Sequence, residues 1–279
     1  MTRSNKDRLG TGAVSQEAPE EETHTPVVDA NALQFIVPTE VVDLPSKGLF
    51  YPEGHPLHNS QTIEIRHMTA KEEDILTSAT LLKKGLAIDK MLQSIIVDKS
   101  IKVEDMLIGD KNSLLIHSRI YGYGADYSTN IVCPVCSESS THTFDLNEVE
   151  NKDIEENLSE YGVEATDHNT FCVTLPKSQY EVEFKLLSSR DEAKILNNKN
   201  ARSLQYLETI VVSINGQNDR FFIKRALSSM PILDATVLKR AHAKATPDVD
   251  LAQDVTCVHC GETSRMEVPL DAGFFWPQL

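Results

Sequence analysis

Two Cys-x-x-Cys pairs, Cys133/Cys136 and Cys257/Cys260, recur 124 positions apart in this chain. Two residues between thiolates let the backbone turn back, so that both sulfurs face one cation. A structural zinc site takes four such ligands at tetrahedral corners. One pair supplies only two, whereas both pairs together complete a closed site that ties distant parts of the chain to one ion. Each pair sits between strand-like runs. Asn130-Ile131-Val132 precedes Cys133 and Asp254-Val255-Thr256 precedes Cys257, with further runs at 141–146 and 265–270. A redox dithiol of the thioredoxin kind opens a helix after a strand, so this setting favours metal over redox work. The N-terminus carries no apolar run resembling a signal peptide, which also favours metal over disulfides. The expectation is one structural zinc per chain, held by Cys133, Cys136, Cys257 and Cys260. His259, inside the second pair, is expected to point outward. Cys172, between Phe171 and Val173, reads as a small buried residue. His55 and His58 lie in a proline-rich stretch without acidic partners and are expected in solvent.

A second recurrence runs alongside the cysteines. Ile63-Glu64-Ile65-Arg66 alternates as a strand does, and Thr69-Ala70-Lys71-Glu72 after it is a capping box. Val182-Glu183-Phe184-Lys185 and Ser188-Ser189-Arg190-Asp191 repeat that unit 119 positions later, with Asp in place of Glu. Helical periodicity follows each copy. Ile88, Met91, Leu92, Ile95 and Ile96 share one face in the first, and Leu204, Leu207, Ile210 and Val211 in the second. A later helix is expected near 110–121 and near 233–245, with Asp110 and Asp234 as N-caps; Tyr121-Gly122-Tyr123-Gly124 reads as the end of the first. Two landmarks recurring at similar offsets predict an α+β fold. Its internally duplicated strand–helix–strand halves, 63–146 and 181–270, are joined by the shared zinc-ribbon-like four-cysteine site.

The remaining segments are simpler. Residues 1–34, with Glu20-Glu21-Glu22 and few apolar side chains, read as a disordered acidic tail. Residues 35–62 hold Pro38, Pro45, Pro52 and Pro56 and read as a Pro-rich extended arm. Residues 147–180 read as an acidic connector with a helix carrying Ile154, Leu158 and Tyr161. Residues 271–279 form an aromatic C-terminal plug. Phe274, Phe275 and Trp276 of the plug either dock on the chain's own zinc ribbon as core or, with Phe50 and Tyr51 of the arm, are the partner-binding residues, because aromatic anchors concentrate binding energy.

Composition narrows the function classes. No stretch approaches the roughly 20 apolar residues of a membrane span. Lys and Arg number 27 against 42 Asp and Glu, a formal charge of -15 that opposes a broad phosphate-binding surface. The phosphate-binding glycine loop, the His-Glu-x-x-His helix and the Gly-x-Ser-x-Gly elbow are absent, so no enzyme activity is expected. No small-molecule substrate, nucleic acid or membrane partner is expected either.

Several runs resemble the baseplate hub assembly proteins of T-even-like contractile-tailed bacteriophages. They are Leu44-Pro45-Ser46-Lys47-Gly48-Leu49-Phe50-Tyr51-Pro52, Arg66-His67-Met68-Thr69-Ala70-Lys71-Glu72-Glu73-Asp74, the Cys133/Cys136 pair and Phe274-Phe275-Trp276-Pro277. The resemblance spans roughly 40–279. It implies a non-catalytic baseplate hub subunit or assembly factor of tail morphogenesis whose partners are other hub or tail proteins. Such a protein would be made in the host bacterial cytoplasm and act there or in the virion tail baseplate. The alternative from another class is a zinc-ribbon regulator that binds nucleic acid or a polymerase.

Overall fold

Alternating apolar residues on two neighbouring segments start the fold. In the computed structural model, which describes residues 37–152, 158, 161–197, 203–270 and 272–275, β1 (Thr39–Asp43) pairs antiparallel with β2 (Thr62–Arg66). Val42 faces Ile63 in the register, and both are buried. After β2 the chain turns into α1 (Ala70–Thr77) at the expected capping box. The Thr69 N–H and hydroxyl donate to Glu72 at 3.0 and 2.7 Å. The Glu72 side chain is fully buried and also accepts from both terminal nitrogens of Arg66 and from the Ser94 hydroxyl. Short α2 (Ala79–Lys83) leads to α3 (Ala87–Ile95), which buries Met91, Leu92 and Ile95. Ile88, expected on that face, remains 36% exposed.

Helix α4 (Ile108–Tyr123) begins before its aspartate, and Gly124, at φ 92°, closes it. Asp110 is therefore its third residue, not the expected N-cap. It is fully buried and accepts from the Ser46 N–H (2.9 Å), the Ser46 hydroxyl (2.6 Å) and the Tyr51 hydroxyl (2.7 Å). A carboxylate in the first turn meets the positive end of the helix, and here it also locks the turn after β1. This corrects the picture of 35–62 as an extended arm. Leu44, Tyr51 and Leu57 are core residues, because the prolines fold the segment back onto α4.

A four-stranded antiparallel sheet follows in the order β6 (Val163–Ala165), β7 (Thr170–Thr174), β8 (Glu181–Lys185) and β9 (Val211–Ile214). Two of these strands fall within the expected acidic connector, 147–180. Thr170-Phe171-Cys172-Val173-Thr174 alternates as a half-buried strand should, and its inward Phe171 stacks on Phe184 with centroids 5.7 Å apart. Most of the helix expected around Ile154 lies outside the described residues, as do the tail 1–34 and the end of the plug.

Strand β8 leads into α5 (Ser189–Asn197), with Lys185 paired to Asp191 as Arg66 is to Glu72. Then come α6 (Ser203–Ile210), α7 (Arg220–Ser228) and α8 (Ile232–Ala245). Asp234, again the third residue of its helix, is fully buried and accepts from the Lys177 and Ser178 N–H groups at 2.9 and 2.8 Å. Both aspartates thus hold a Leu-Pro turn: Leu44-Pro45-Ser46 in one case, Leu175-Pro176-Lys177 in the other. Contacts across the molecule join these regions. Gly109 lies so close to Pro247 that a Cβ there would stand 1.7 Å from its carbonyl oxygen. Asn112 donates to Asp248, and the two-residue strands β5 (Glu150–Asn151) and β10 (Val249–Asp250) pair nearby.

Glu72 offers a direct check on this packing. Burial pushes its carboxyl up, but the bonds from Arg66, Ser94 and Thr69 outweigh burial and hold it down at about 2, from an ordinary 4.5. A depressed carboxyl stabilises the fold in full above its unfolded pKa, and that contribution is lost as pH falls through the folded one. Glu72→Gln should cost about 2 kcal/mol at neutral pH, the scale of hydrogen bonds to a buried ion. The gap to the parent should close between about pH 4.5 and 2. Urea midpoints across that range read it, and equal midpoints at neutral pH contradict it.

Candidate metal centre

Two β-hairpins carry the four cysteines. In the first, β3 (Asp126–Val132) pairs with β4 (Ser139–Asp145), and in the second β11 (Ala252–Thr256) pairs with β12 (Thr263–Glu267). Both loops close with the same bonds. The Cys133 N–H donates to Glu138 O (3.0 Å) and the Ser137 N–H to Cys133 O (2.9 Å). In the second loop the Cys257 N–H donates to Glu262 O and the Gly261 N–H to Cys257 O, each at 2.9 Å. The turn needs a left-handed residue after its second cysteine. Gly261 takes φ 75° there at no steric cost, and Ser137 takes φ 61°. Val135 and His259 each aim a backbone N–H at a sulfur, at 3.4 Å from Cys133 Sγ and Cys257 Sγ.

The four sulfurs converge. Cys133 Sγ lies 3.9 Å from Cys260 Sγ, Cys136 Sγ lies 3.7 Å from Cys257 Sγ, and all four fall within 4.8 Å of one another. A disulfide needs about 2.05 Å. A tetrahedron with metal–sulfur bonds of ~2.3 Å has edges of about 3.8 Å, so the spacing fits four thiolates around one ion. Each close pair joins the first cysteine of one hairpin to the second of the other. Electrostatics agree with the geometry. N–H groups of Cys260 and His259 hold the Cys257 thiol down at about 6. For Cys136, an N–H contact at Glu138 lowers the thiol, yet burial and the neighbouring thiols push it up to about 12. Packed thiols cannot all ionise unless a cation shares the space. Cys133 and Cys257 are buried, Cys136 is intermediate and Cys260 exposed.

Cys172 stands apart on the sheet. It is half-buried, contrary to the expectation of a core residue, because it points away from the face that Phe171 and Val173 bury. Burial and the Glu181 carboxylate push its thiol up to about 11. His259 is exposed, as expected. His55 and His58 are not in open solvent. His55 stacks on Tyr51 with centroids 4.5 Å apart, and His58 Nδ1 meets the Tyr51 carbonyl at 2.7 Å.

The expected partner anchors are mostly core. Phe274 and Phe275 are each 2% exposed, and Phe274 sets its edge against Tyr127 at 5.1 Å. Tyr51 is buried between Asp110 and the Leu107 N–H. Phe50 is half-buried against Phe171, and Trp276 lies outside the described residues. Burial favours the core role of Phe274 and Phe275 over the anchor role, and it takes Tyr51 out of a free binding surface. Arg119 on α4, which the sequence does not single out, explains the docking of the plug. It is buried and donates to the carbonyls of Phe274 (2.8 Å), Gly124 and Asp126, fixing the entry to the first hairpin.

A family model described as T4 bacteriophage base plate protein matches residues 39–276. No curated protein and no solved structure matches the chain.

If the four sulfurs bind one ion together, Cys133→Ser should lower both metal retention and the melting temperature. Cys172→Ser should leave both unchanged. Metal analysis after dialysis against a chelator, with parallel thermal melts, reads this. Equal behaviour of the two variants contradicts a shared centre.

Proposed function

The chain belongs to the T4 bacteriophage base plate protein family, and from that membership we propose that it is a non-catalytic component or assembly factor of the baseplate hub. It acts in contractile tail morphogenesis by contacting other hub or tail proteins. The observation that carries this reading is the family match over residues 39–276, nearly the whole chain. The chemistry of the four-cysteine cluster supports a scaffolding role. Four thiolates leave no open position for water or substrate, which is the signature of a structural rather than a catalytic ion. The ion we assign is zinc, about one per chain, since an all-thiolate tetrahedral set is its commonest structural site.

Two recurring devices support internal duplication: the ion pairs Arg66–Glu72 and Lys185–Asp191, and the aspartates Asp110 and Asp234 on their Leu-Pro turns. The charge of -15 argues for protein rather than nucleic-acid partners. No helix among the described residues is long and apolar enough to cross a membrane. On this reading the chain works in the host cytoplasm during assembly and in the tail baseplate.

A phage lacking this chain should accumulate incomplete baseplates, and supplying it in trans should restore tails. The purified chain should bind a hub or tail protein of the same phage and show no measurable affinity for duplex DNA at physiological salt. Normal tails without it, or tight duplex binding with no tail partner, contradict the proposal.

A further inference from the structure

An island of positive charge interrupts this acidic chain. Arg66, Lys71, Lys90, Gln93, Ser94 and Lys99 line a cavity of about 430 Å³ between the start of α1 and α3. Arg66 is neutralised by Glu72. Lys71, Lys90 and Lys99 are exposed, and no carboxylate among the described residues pairs with them. Nearby Asp98 is turned onto Ser100. Burial, with the charges of Arg66 and Lys71, pushes the Lys99 ammonium down, a sign that the cations repel one another.

The molecule itself shows what such a place receives. Arg190 is the second residue of α5, as Lys71 is of α1. Arg190 holds Glu104 at 2.9 Å and Asp105 at 2.7 Å. The chain after those acids then runs antiparallel along the strand-to-helix junction. The Ser189 N–H donates to Met106 O (2.9 Å), Leu107 bridges Ser188, and the Ile108 N–H donates to Leu187 O (3.3 Å). An acidic 3-10 turn ending in Glu104-Asp105, followed by the extended pair Met106-Leu107, thus covers the second junction. At the first junction, around Thr69, no described segment forms such a bridge.

We propose that the Lys71–Lys90–Lys99 cavity and the adjoining Met68–Ala70 edge form a docking site for an acidic segment of another tail protein whose backbone extends just after its acids. The fitting segment carries neighbouring Asp or Glu residues followed by apolar ones. The acids enter the cavity, while the backbone pairs along the edge as 106–108 does along 187–189. In a second copy of this chain the 104–108 segment is already held at that copy's own second junction. The stretch before α8 that corresponds to 104–108 is Ser228-Ser229-Met230-Pro231-Ile232, without acids and with a proline that lacks an N–H. Nucleic acid fits less well: no aromatic ring lines the cavity to stack a base, and the surrounding charge repels phosphate. That the segment belongs to a tail protein rests on the proposed function; the chemistry of the site does not.

The test uses the full chain and a labelled peptide, Val-Glu-Asp-Met-Leu-Ile, with Gln-Asn replacing Glu-Asp in the control. Anisotropy titrations should show the acidic peptide binding at least about tenfold tighter, an advantage that shrinks at high salt. Lys71→Glu with Lys90→Glu should abolish the preference and leave the thermal melt unchanged, because both side chains are exposed. Equal binding of the two peptides, no binding of either, or an unchanged preference in the double variant overturns the proposal. So does an oligonucleotide that displaces the peptide from the parent but not from the variant. Recruitment of the parent chain to baseplates is measured separately. Its failure counts against the baseplate reading, whereas failure of the peptide titration counts against this site alone.

Discussion

Four sulfurs held within 4.8 Å are the constraint on which the two hairpins depend. Each hairpin is a two-stranded ribbon, and an isolated two-stranded ribbon is marginal in water. Among the described residues neither has further strands to lean on, since β3–β4 and β11–β12 are separate two-stranded sheets. Beneath the cysteines their apolar support is Ile131 and Val255, while Tyr127 and Phe144 anchor the far end of the first hairpin. A cation bridging Cys133 to Cys260 and Cys136 to Cys257 would supply what packing does not. It closes a loop of more than a hundred residues, so its binding energy contributes to folding rather than to chemistry.

The body of the protein is held differently. Buried carboxylates act as staples: Glu72 gathers Arg66, Ser94 and Thr69, Asp110 gathers Ser46 and Tyr51, and Asp234 gathers two N–H groups of a turn. Each is satisfied several times over, which a charge requires if it is to be buried at tolerable cost. These staples place the Leu-Pro turns against α4 and α8, and the helices carry the hairpins. Arg119 completes the arrangement by tying the end of α4 and the C-terminal turn to the start of β3.

Much of this was legible in the sequence where the signal is local. Cys-x-x-Cys spacing, the Thr69/Glu72 capping box and the strand before it depend on near neighbours, and the structure brings them together as the spacing requires. The misreadings have a common cause in tertiary packing. Asp110 and Asp234 look like N-caps by residue type, but the turns they grip lie 64 and 57 residues away in sequence. The proline-rich segment looks extended until Tyr51 finds Asp110. The acidity of 147–180 masks the short alternation of β7, which gains its partners only when β8 pairs with it. For Phe274 and Phe275 the sequence leaves core and anchor both open, because nothing nearby in sequence reveals that Arg119 will fold them inward.

Whether one ion unites the two hairpins is best tested by X-ray absorption at the zinc edge on the purified full chain. The account predicts a single shell of four sulfurs at ~2.3 Å and about one zinc per chain. Two sulfurs per zinc completed by nitrogen or oxygen ligands, or protein purified without bound metal, would contradict it.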